Sequence, residues 1–268
     1  MGDVLGNSRG MLGFFRAMYG YRDLLITLVV RNLKIRYKNS ALGFFWTLLG
    51  PVFMIAIYAV FLRVMRFPIY LPALVTGIIA WQFLATCMGD SLHAIVGNAN
   101  LVTKSAFPRI ALPLSMVVAN LVNFLLSTVV LFGYLLVVRA SFGALYCLPL
   151  VMICQFALCL GASLLLSCCN VFFRDTEHIL STIMLAWFFL TPVIYPIALV
   201  TEAFPDWVHR LFFVNPMTGI MTWYRMVLLS APSPGWDFIL LSLLSAWLVL
   251  LVGLVVFRKV EPGIADEL

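Results

Sequence analysis

Residues 41–62 read ALGFFWTLLGPVFMIAIYAVFL, an apolar run without a charged side chain. About 20 such residues span the hydrocarbon core of a bilayer as one helix, so the stretch reads as a membrane crossing. Similar runs recur at about 73–91, 112–138, 145–171, 179–200 and 238–257. The second is entered through Pro68 and Pro72, and only the turn Arg139-Ala140-Ser141-Phe142-Gly143 separates the third from the fourth, which makes those two a helical hairpin. The expected fold is an all-α membrane protein with six transmembrane helices. Composition agrees, since 63% of the 268 residues are hydrophobic and 10% charged, against about 45–50% and 25% in soluble domains. No segment is left for a sizeable separate domain, and no cleavable signal peptide is expected, because the first 23 residues hold no sustained apolar core before Leu24.

The basic residues orient these crossings. With both ends inside, the inner segments carry Arg9, Arg16, Arg22, Arg31, Lys34, Arg36, Lys38, Lys104, Arg109, Arg174, Arg258 and Lys259. The outer segments carry Arg63, Arg66, Arg139, Arg210 and Arg225, a split of twelve against five. Lys and Arg accumulate on the cytoplasmic side, so both termini are expected there.

Two segments depart from the simple pattern. In the first, Leu24 to Val30 is apolar for only seven residues; Arg31, Lys34 and Lys38 then follow at helical spacing beside an apolar face of Ile26, Val30, Leu33 and Tyr37. This suits an amphipathic helix on the inner membrane surface, or a positive-inside anchor with no further duty. The second is 201–235, aromatic and apolar yet outside the membrane by this topology. Asn215-Pro216 reads as an N-cap and first-turn proline opening a helix of some fifteen residues, too short to cross. With Trp207 to Val214 it forms either a pair of short helices dipping back into the outer leaflet or a pair resting on the surface.

The side chains speak against catalysis by this chain. No Walker A sequence occurs, so any use of ATP needs a partner. Asp90 is the only acidic or basic side chain within the six runs. It lies 18 residues after Pro72, about 27 Å along a helix, and so near the inner edge rather than the midplane, where charges mark ion or proton pathways. His93, His178 and His209 fall outside the runs and lack metal-ligand spacing, and no paired carboxylates or clustered Asp residues offer acid–base chemistry or a metal-bound sugar nucleotide site. Cys87, Cys147, Cys154, Cys159, Cys168 and Cys169 read as small buried hydrophobes. No catalytic residue, metal site or cofactor is expected.

The crossings hold mild polarity, backbone breakers and aromatics instead. Asn120, Asn123 and Ser127 form a polar stripe on the third, a helix–helix hydrogen-bonding seam or a substrate path. Gly50-Pro51 and Thr191-Pro192 are expected to interrupt helical hydrogen bonds and bend the first and fifth crossings. Aromatics crowd the same two: Phe44, Phe45, Trp46, Phe53 and Tyr58, then Trp187, Phe188, Phe189 and Tyr195. Ring faces stack against the C–H face of a sugar while leaving a polymer free to slide, though aromatics also form interfacial belts and fill membrane cores.

With these elements in place, the chain resembles the permease subunits of type-2 ABC exporters, specifically the bacterial polysaccharide (O-antigen and capsule) and teichoic acid export group, over about residues 22–257. The resemblance rests on Leu42-Gly43 with Trp46 and Pro51, Gly77 with Trp81, and Asn98-Ala99-Asn100-Leu101 leading to Phe107-Pro108-Arg109 and Leu112-Pro113-Leu114-Ser115. It continues through Phe173-Arg174-Asp175 with His178, Thr191-Pro192-Val193-Ile194-Tyr195-Pro196, and Asn215-Pro216 with Tyr224-Arg225. It implies a homodimer in the bacterial inner membrane, each subunit pairing with a separate P-loop ATPase that binds ATP and Mg²⁺.

By the same resemblance, residues 1–40 are a cytoplasmic segment ending in the interface helix, 41–257 the permease domain, and 258–268 a cytoplasmic tail. A coupling helix at about 97–105, with Asn98, Asn100, Thr103 and Lys104, docks on the ATPase, joined by Arg174, Asp175 and Glu177 of the next inner loop. The alternative for that loop is helix capping by Asp175 or Thr176. Arg31, Lys34, Arg36 and Lys38 would hold the phosphate of a lipid-linked glycan at its entrance, and the positive-inside rule explains the same charges without a ligand. Phe45, Trp46, Phe53, Tyr58, Trp187, Phe188 and Tyr195 would line the channel. The short helices at about 203–230, with Trp207, Pro216, Trp223 and Tyr224, would gate its outer end. The other readings are an ABC exporter of a drug or small lipid and, from different classes, a multispan enzyme or an assembly scaffold in polyprenyl-linked glycan synthesis.

Overall fold

The computed structural model describes residues 20–38, 40, 42–66, 70–104, 107–265 and 267–268. Expectations resting on Arg9, Arg16, Ala41, Pro68 and Ser105, and on the side chains of Phe44 and Lys104, lie outside the described residues. In chain order the helices are α1 Arg22–Tyr37, α2 Trp46–Met65, α3 Leu71–Leu92, α4 Ala99–Lys104, α5 Ala111–Val137, α6 Leu148–Phe172, α7 Thr176–Leu190, α8 Ala198–Ala203, α9 Asp206–Val214, α10 Pro216–Leu229 and α11 Trp236–Val260. Among the described residues five helices are long and apolar enough to cross a membrane: α2, α3, α5, α6 with the turn before it, and α11.

The fifth expected crossing, 179–200, is a short helix continued by irregular chain. It starts beside His93 at the end of α3, and its continuation meets Arg225 together with Ala73 at the start of α3, so the expected six passages are kept. The α7 helix has 15 residues, about 22 Å at 1.5 Å per residue, against a hydrocarbon core of about 30 Å. It ends at Thr191, whose backbone is extended with φ −103° and ψ 139°, because the ring of Pro192 drives the residue before it out of the helical region. The bend expected there is a complete stop. Gly50-Pro51 behaves differently, since Pro51 sits inside a continuous α2.

The bundle has two unlike ends. At one, Leu28 of α1, Val102 of α4, Leu112 of α5, Cys168 of α6 and Phe257 of α11 share a small core. Arg31, Lys34, Arg36, Arg109, Arg174, Arg258 and Lys259 lie in or beside these elements, so this is the basic end that the charge count called inner. At the far end α9 and α10 fold back. The α10 helix buries Met217, Ile220, Met221, Trp223, Tyr224 and Leu228 against α3, α6 and α11. Tyr224 meets Phe124, midway along α5, edge-on with ring centroids 6.2 Å apart. A short helix at that depth among crossing helices is re-entrant, which decides between the two readings of 201–235.

The α6–α11 pairing is the most extensive in the molecule. Gly161 and Gly253 allow it, because a Cβ on Gly161 would strike the Leu250 backbone and one on Gly253 would strike Gly161 itself. Small residues let membrane helices approach this closely and gain dispersion contacts that lipid cannot replace. By contrast α2 has only Thr47 and Leu62 buried, and α7 only Thr176. The cysteines divide: Cys87, Cys154, Cys159 and Cys168 are buried and Cys147 partly so, but Cys169 is exposed and departs from the expected buried role.

Gly161→Leu is expected to cost about 1–3 kcal/mol by overpacking and to lower the unfolding midpoint of the detergent-solubilised protein. An unchanged midpoint would show that the close α6–α11 contact is not a source of stability.

Candidate functional site

At the basic end α1 is tied into the bundle by polar side chains. Arg31 Nη2 donates to Asn98 Oδ1 at 2.6 Å, Asn32 Nδ2 to Ser115 Oγ at 3.0 Å, and Tyr37 Oη to Asn123 Oδ1 at 3.2 Å. Arg36 forms an ion pair with Asp90, whose carboxylate also accepts from Asn120 Nδ2 at 2.7 Å. Both partners of the ion pair keep about a third of their side-chain surface exposed, 33% and 35%, so its worth is nearer the roughly 1 kcal/mol of a surface pair than that of a buried one. What the pair does achieve is placement, since a carboxylate at the membrane edge needs a cation and Arg36 brings α1 with it. The face expected to be apolar is only partly so: Ile26 and Val30 are exposed, Tyr37 is half-buried, and Leu28, outside that face, is the buried residue.

The four basic residues expected at a phosphate entrance therefore split. Arg31 and Arg36 turn into the bundle, to Asn98 and Asp90, while Lys34 and Lys38 are exposed. The expected coupling residues split as well. Asn100 and Thr103 face outward from α4, whereas Asn98 faces α1, accepting from Arg31 and donating to Ala94 O at 2.8 Å. In the next turn Arg174, Asp175 and Glu177 are exposed. Asp175 makes no side-chain capping hydrogen bond, Thr176 donates back to Phe173 O at 2.5 Å, and Glu177 lies 3.8 Å from His93 at the end of α3.

The far end is organised by Asn215 and Arg225. Asn215 caps α10 by accepting from the Met217 N–H at 3.1 Å, as its N-cap position implied. Its oxygen also accepts from Trp187 Nε1 at 2.9 Å and its amide donates to Thr191 Oγ1 at 2.8 Å, so one side chain joins the end of α7 to the start of α10. Arg225 is 7% exposed and donates to three backbone carbonyls: Val193 O at 2.7 Å, Tyr195 O at 3.1 Å and Ala73 O at 3.4 Å. Two of these belong to the irregular segment after α7, which has no helical ladder to occupy them. Gly77 completes the contact, because a Cβ there would stand 2.7 Å from Val193 O.

The expected channel aromatics fall in two groups. Phe45, in the turn before α2, and Trp46 and Phe53 on it are exposed, and Tyr58 packs partly buried on the main core. Trp187 and Phe188 both meet Trp81 of α3 edge-on, at centroid distances of 5.9 and 5.4 Å, and Tyr195 Oη donates to Phe189 O at 3.0 Å. Of the expected gate residues, Trp207 is 69% exposed, whereas Trp223 and Tyr224 are buried and Pro216 occupies the first turn of α10. One feature of the site went unread in the sequence. Gln82, Thr86 and Asp90 of α3, with His93 just after it, recur at helical spacing and are exposed or half-exposed, Gln82 and Thr86 beside α2 and His93 beside α7, the two least covered helices. The polar period was there to be seen, but only Asp90 carries a charge that breaks the apolar run.

Long apolar helices, a re-entrant hairpin at one end and a short polar helix with basic neighbours at the other define a multi-pass membrane transport subunit. Residues 23–229 match the family model described as ABC-2 type transporter, and the chain belongs to that family. Subunits of this kind are transport components whose ATPase is a separate subunit. Over 228 residues, covering 81% of this chain and 84% of the relative, it is 36% identical to the O-antigen export system permease protein RfbA of Myxococcus xanthus. It is also 31% identical over 251 residues, 92% of this chain and 95% of the relative, to the protein of the same name from Klebsiella pneumoniae.

Arg225→Lys retains the charge but cannot span three carbonyls from one planar head. With hydrogen bonds to a charged group worth about 1.5–3 kcal/mol each, the variant is expected to unfold several degrees lower in detergent than the parent. Equal midpoints would mean that these carbonyls are satisfied without the guanidinium.

Proposed function

We propose that this chain is the permease subunit of an ABC exporter that carries a lipid-linked polysaccharide of the O-antigen, capsule or teichoic acid kind across the bacterial inner membrane. The observation that carries the reading is the match, over 92% of this chain and 95% of the relative, to a protein named as an O-antigen export permease. In this reading the basic end faces the cytoplasm with both termini, supported by the twelve-to-five distribution of Lys and Arg.

Two copies assemble through the faces left bare on α2 and α7. Phe45 just before α2, Trp46, Phe53, Ile57, Val60 and Val64 of α2, and Ile183, Leu185 and Phe189 of α7 are more than 45% exposed. A second copy covering them would enclose the polar stripe of α3, giving the glycan a path with hydroxyl and amide partners between aromatic walls. Lys34 and Lys38 meet the lipid phosphate at the cytoplasmic edge. The ATPase, holding ATP and Mg²⁺, docks on Asn100 and Thr103 of α4 and on the α6–α7 turn with Arg174, Asp175 and Glu177. Closure of that subunit pushes α4, and the Arg31–Asn98 bond passes the displacement to α1.

A mild-detergent pull-down of the tagged chain from native membranes, with mass spectrometry of proteins and lipids, tests this. Near-equal recovery of a P-loop ATPase together with a glycolipid is the expected result. An ATPase accompanied only by small lipids would favour a drug or lipid exporter. Recovery alone, or with glycosyltransferases and no ATPase, would replace the exporter by the enzyme or scaffold reading.

A further inference from the structure

The segment expected as a plain cytoplasmic tail is built into the basic end of the bundle. Residues Glu261–Ala265 form a 3-10 turn that follows α11 directly. Ile264 of that turn has no exposed surface and shares the small core at this end with Leu28 of α1, Val102 of α4, Leu112 of α5 and Phe257 of α11. Glu261 bonds twice to one residue far away in sequence. Its Oε1 accepts from the Arg109 backbone N–H at 3.0 Å, and its backbone carbonyl accepts from the Arg109 guanidinium. Arg109 stands in the short connection between α4 and α5.

The α4 helix depends on this turn. It has six residues, too few for a helix to hold in water by its own hydrogen bonds. Asn100 and Thr103, proposed above to meet the ATPase, are exposed, and Val102, 3% exposed, is buried. Apart from the turn that precedes it, α4 packs most against Glu261–Ala265 among the described residues. One five-residue turn therefore seats both α4 and the chain that leaves it.

What that seat can do follows from what carries it. The ring of Pro262 fixes its φ, and Glu261 at the end of α11 keeps helical dihedrals, φ −47° and ψ −41°, so the turn is a stiff continuation of α11 rather than a hinge. The α11 helix in turn lies in the close pairing with α6 across Gly161 and Gly253. A displacement of α4 thus reaches α11 and α6 or pulls Ile264 out of its core. A surface dock for another protein would turn its side chains outward, whereas Ile264 is buried and the Glu261 carboxylate is held by Arg109. A passive anchor would need only Ile264, but the bonds to Arg109 tie the turn to the connection that a push on α4 has to cross. We propose that the Glu261–Ala265 turn is a transmission element, in which Ile264 and Glu261 are positioning residues that pass movement of α4 into α11 and α6. The proposal rests on the ATPase-driven export reading above and adds a route beside the Arg31–Asn98 bond to α1.

The test uses inverted vesicles holding the full chain with its ATPase, supplied with lipid-linked glycan extracted from the parental cells. ATP hydrolysis and glycan protected from an added glycosidase are both read, at matched abundance. Ile264→Ala and Glu261→Ala are expected to keep the ATPase and its hydrolysis but to protect about fivefold fewer glycans per ATP, within the range by which residues along a coupled network change coupling. Ile264→Val and Glu261→Gln, which keep the packing and the acceptor oxygen, are expected to restore most of the parental ratio. A merely structural role would lower the amount of folded protein without moving that ratio. Glu261 is only half-buried, so its variants carry the test if Ile264→Ala fails to accumulate. A parental ratio in both Ala variants would overturn the transmission role, and so would loss of the ATPase from them, which would make the turn a docking element; either leaves the export reading standing. No ATP-dependent protection by the parental chain would overturn both.

Discussion

A bilayer offers no water to a broken helix, so a chain that stops helical hydrogen bonding inside it must satisfy the freed carbonyls from within. Here the stop at Thr191-Pro192 is met by one guanidinium. Arg225 reaches Val193 O, Tyr195 O and Ala73 O, and no other side chain type offers a planar fork of five donors. Because Arg225 stands on α10, that helix has to enter the membrane to deliver it, and Gly77 has to be glycine for the segment to lie against α3. Asn215 then joins the two helices flanking the break, through Trp187 and Thr191 on one side and Met217 on the other. The re-entrant hairpin and the short α7 both descend from this arrangement.

The opposite end obeys the same rule with different groups. Asp90 is carried near the membrane edge by α3, and its need for a cation draws in Arg36 and with it α1. Asn98 and Arg31 fasten α1 to the turn before α4, and Arg109 binds Glu261 through its backbone N–H at 3.0 Å, fastening the start of α5 to the end of α11. The helices α1, α3, α5 and α11 are thereby joined to one another and to the turn before α4 by polar contacts as well as by apolar packing. In the proposed exporter, whose ATPase is a separate subunit, such links would let a push delivered outside the membrane arrive at the helices inside it.

Much of this was legible in the sequence, for identifiable reasons. Crossing helices announce themselves because a bilayer excludes charge over about 20 residues, and the limits of α3, α5 and α11 lie within a few residues of the expected ones. The N-cap at Asn215 was readable because capping is local, fixed by a side chain two residues from its partner. The motifs around Thr191, Asn215 and Tyr224-Arg225 were visible as separate pairs, but that they are one network is a long-range fact: Arg225 and Ala73 lie 152 positions apart. The length of α7 was misread because hydropathy continues past Thr191, whereas the helix obeys the proline. The inward turn of Arg31 and Arg36 was also hidden, since a basic side chain on an amphipathic pattern looks solvent-facing until its partner is known.

The surfaces left bare agree with this division of labour. The α2 and α7 helices have few buried residues, while α3 between them is mostly buried yet shows polar groups in the gap. In the proposed dimer, these helices close a path whose two ends are held by Arg225 and by the α1 ties. The most direct measurement is translocation in inverted membrane vesicles containing this chain and its ATPase, supplied with lipid-linked glycan and scored by protection of the glycan from an added glycosidase. The account predicts protection that requires ATP, the ATPase and this chain together. Protection that develops equally without ATP, or without the chain, would contradict it.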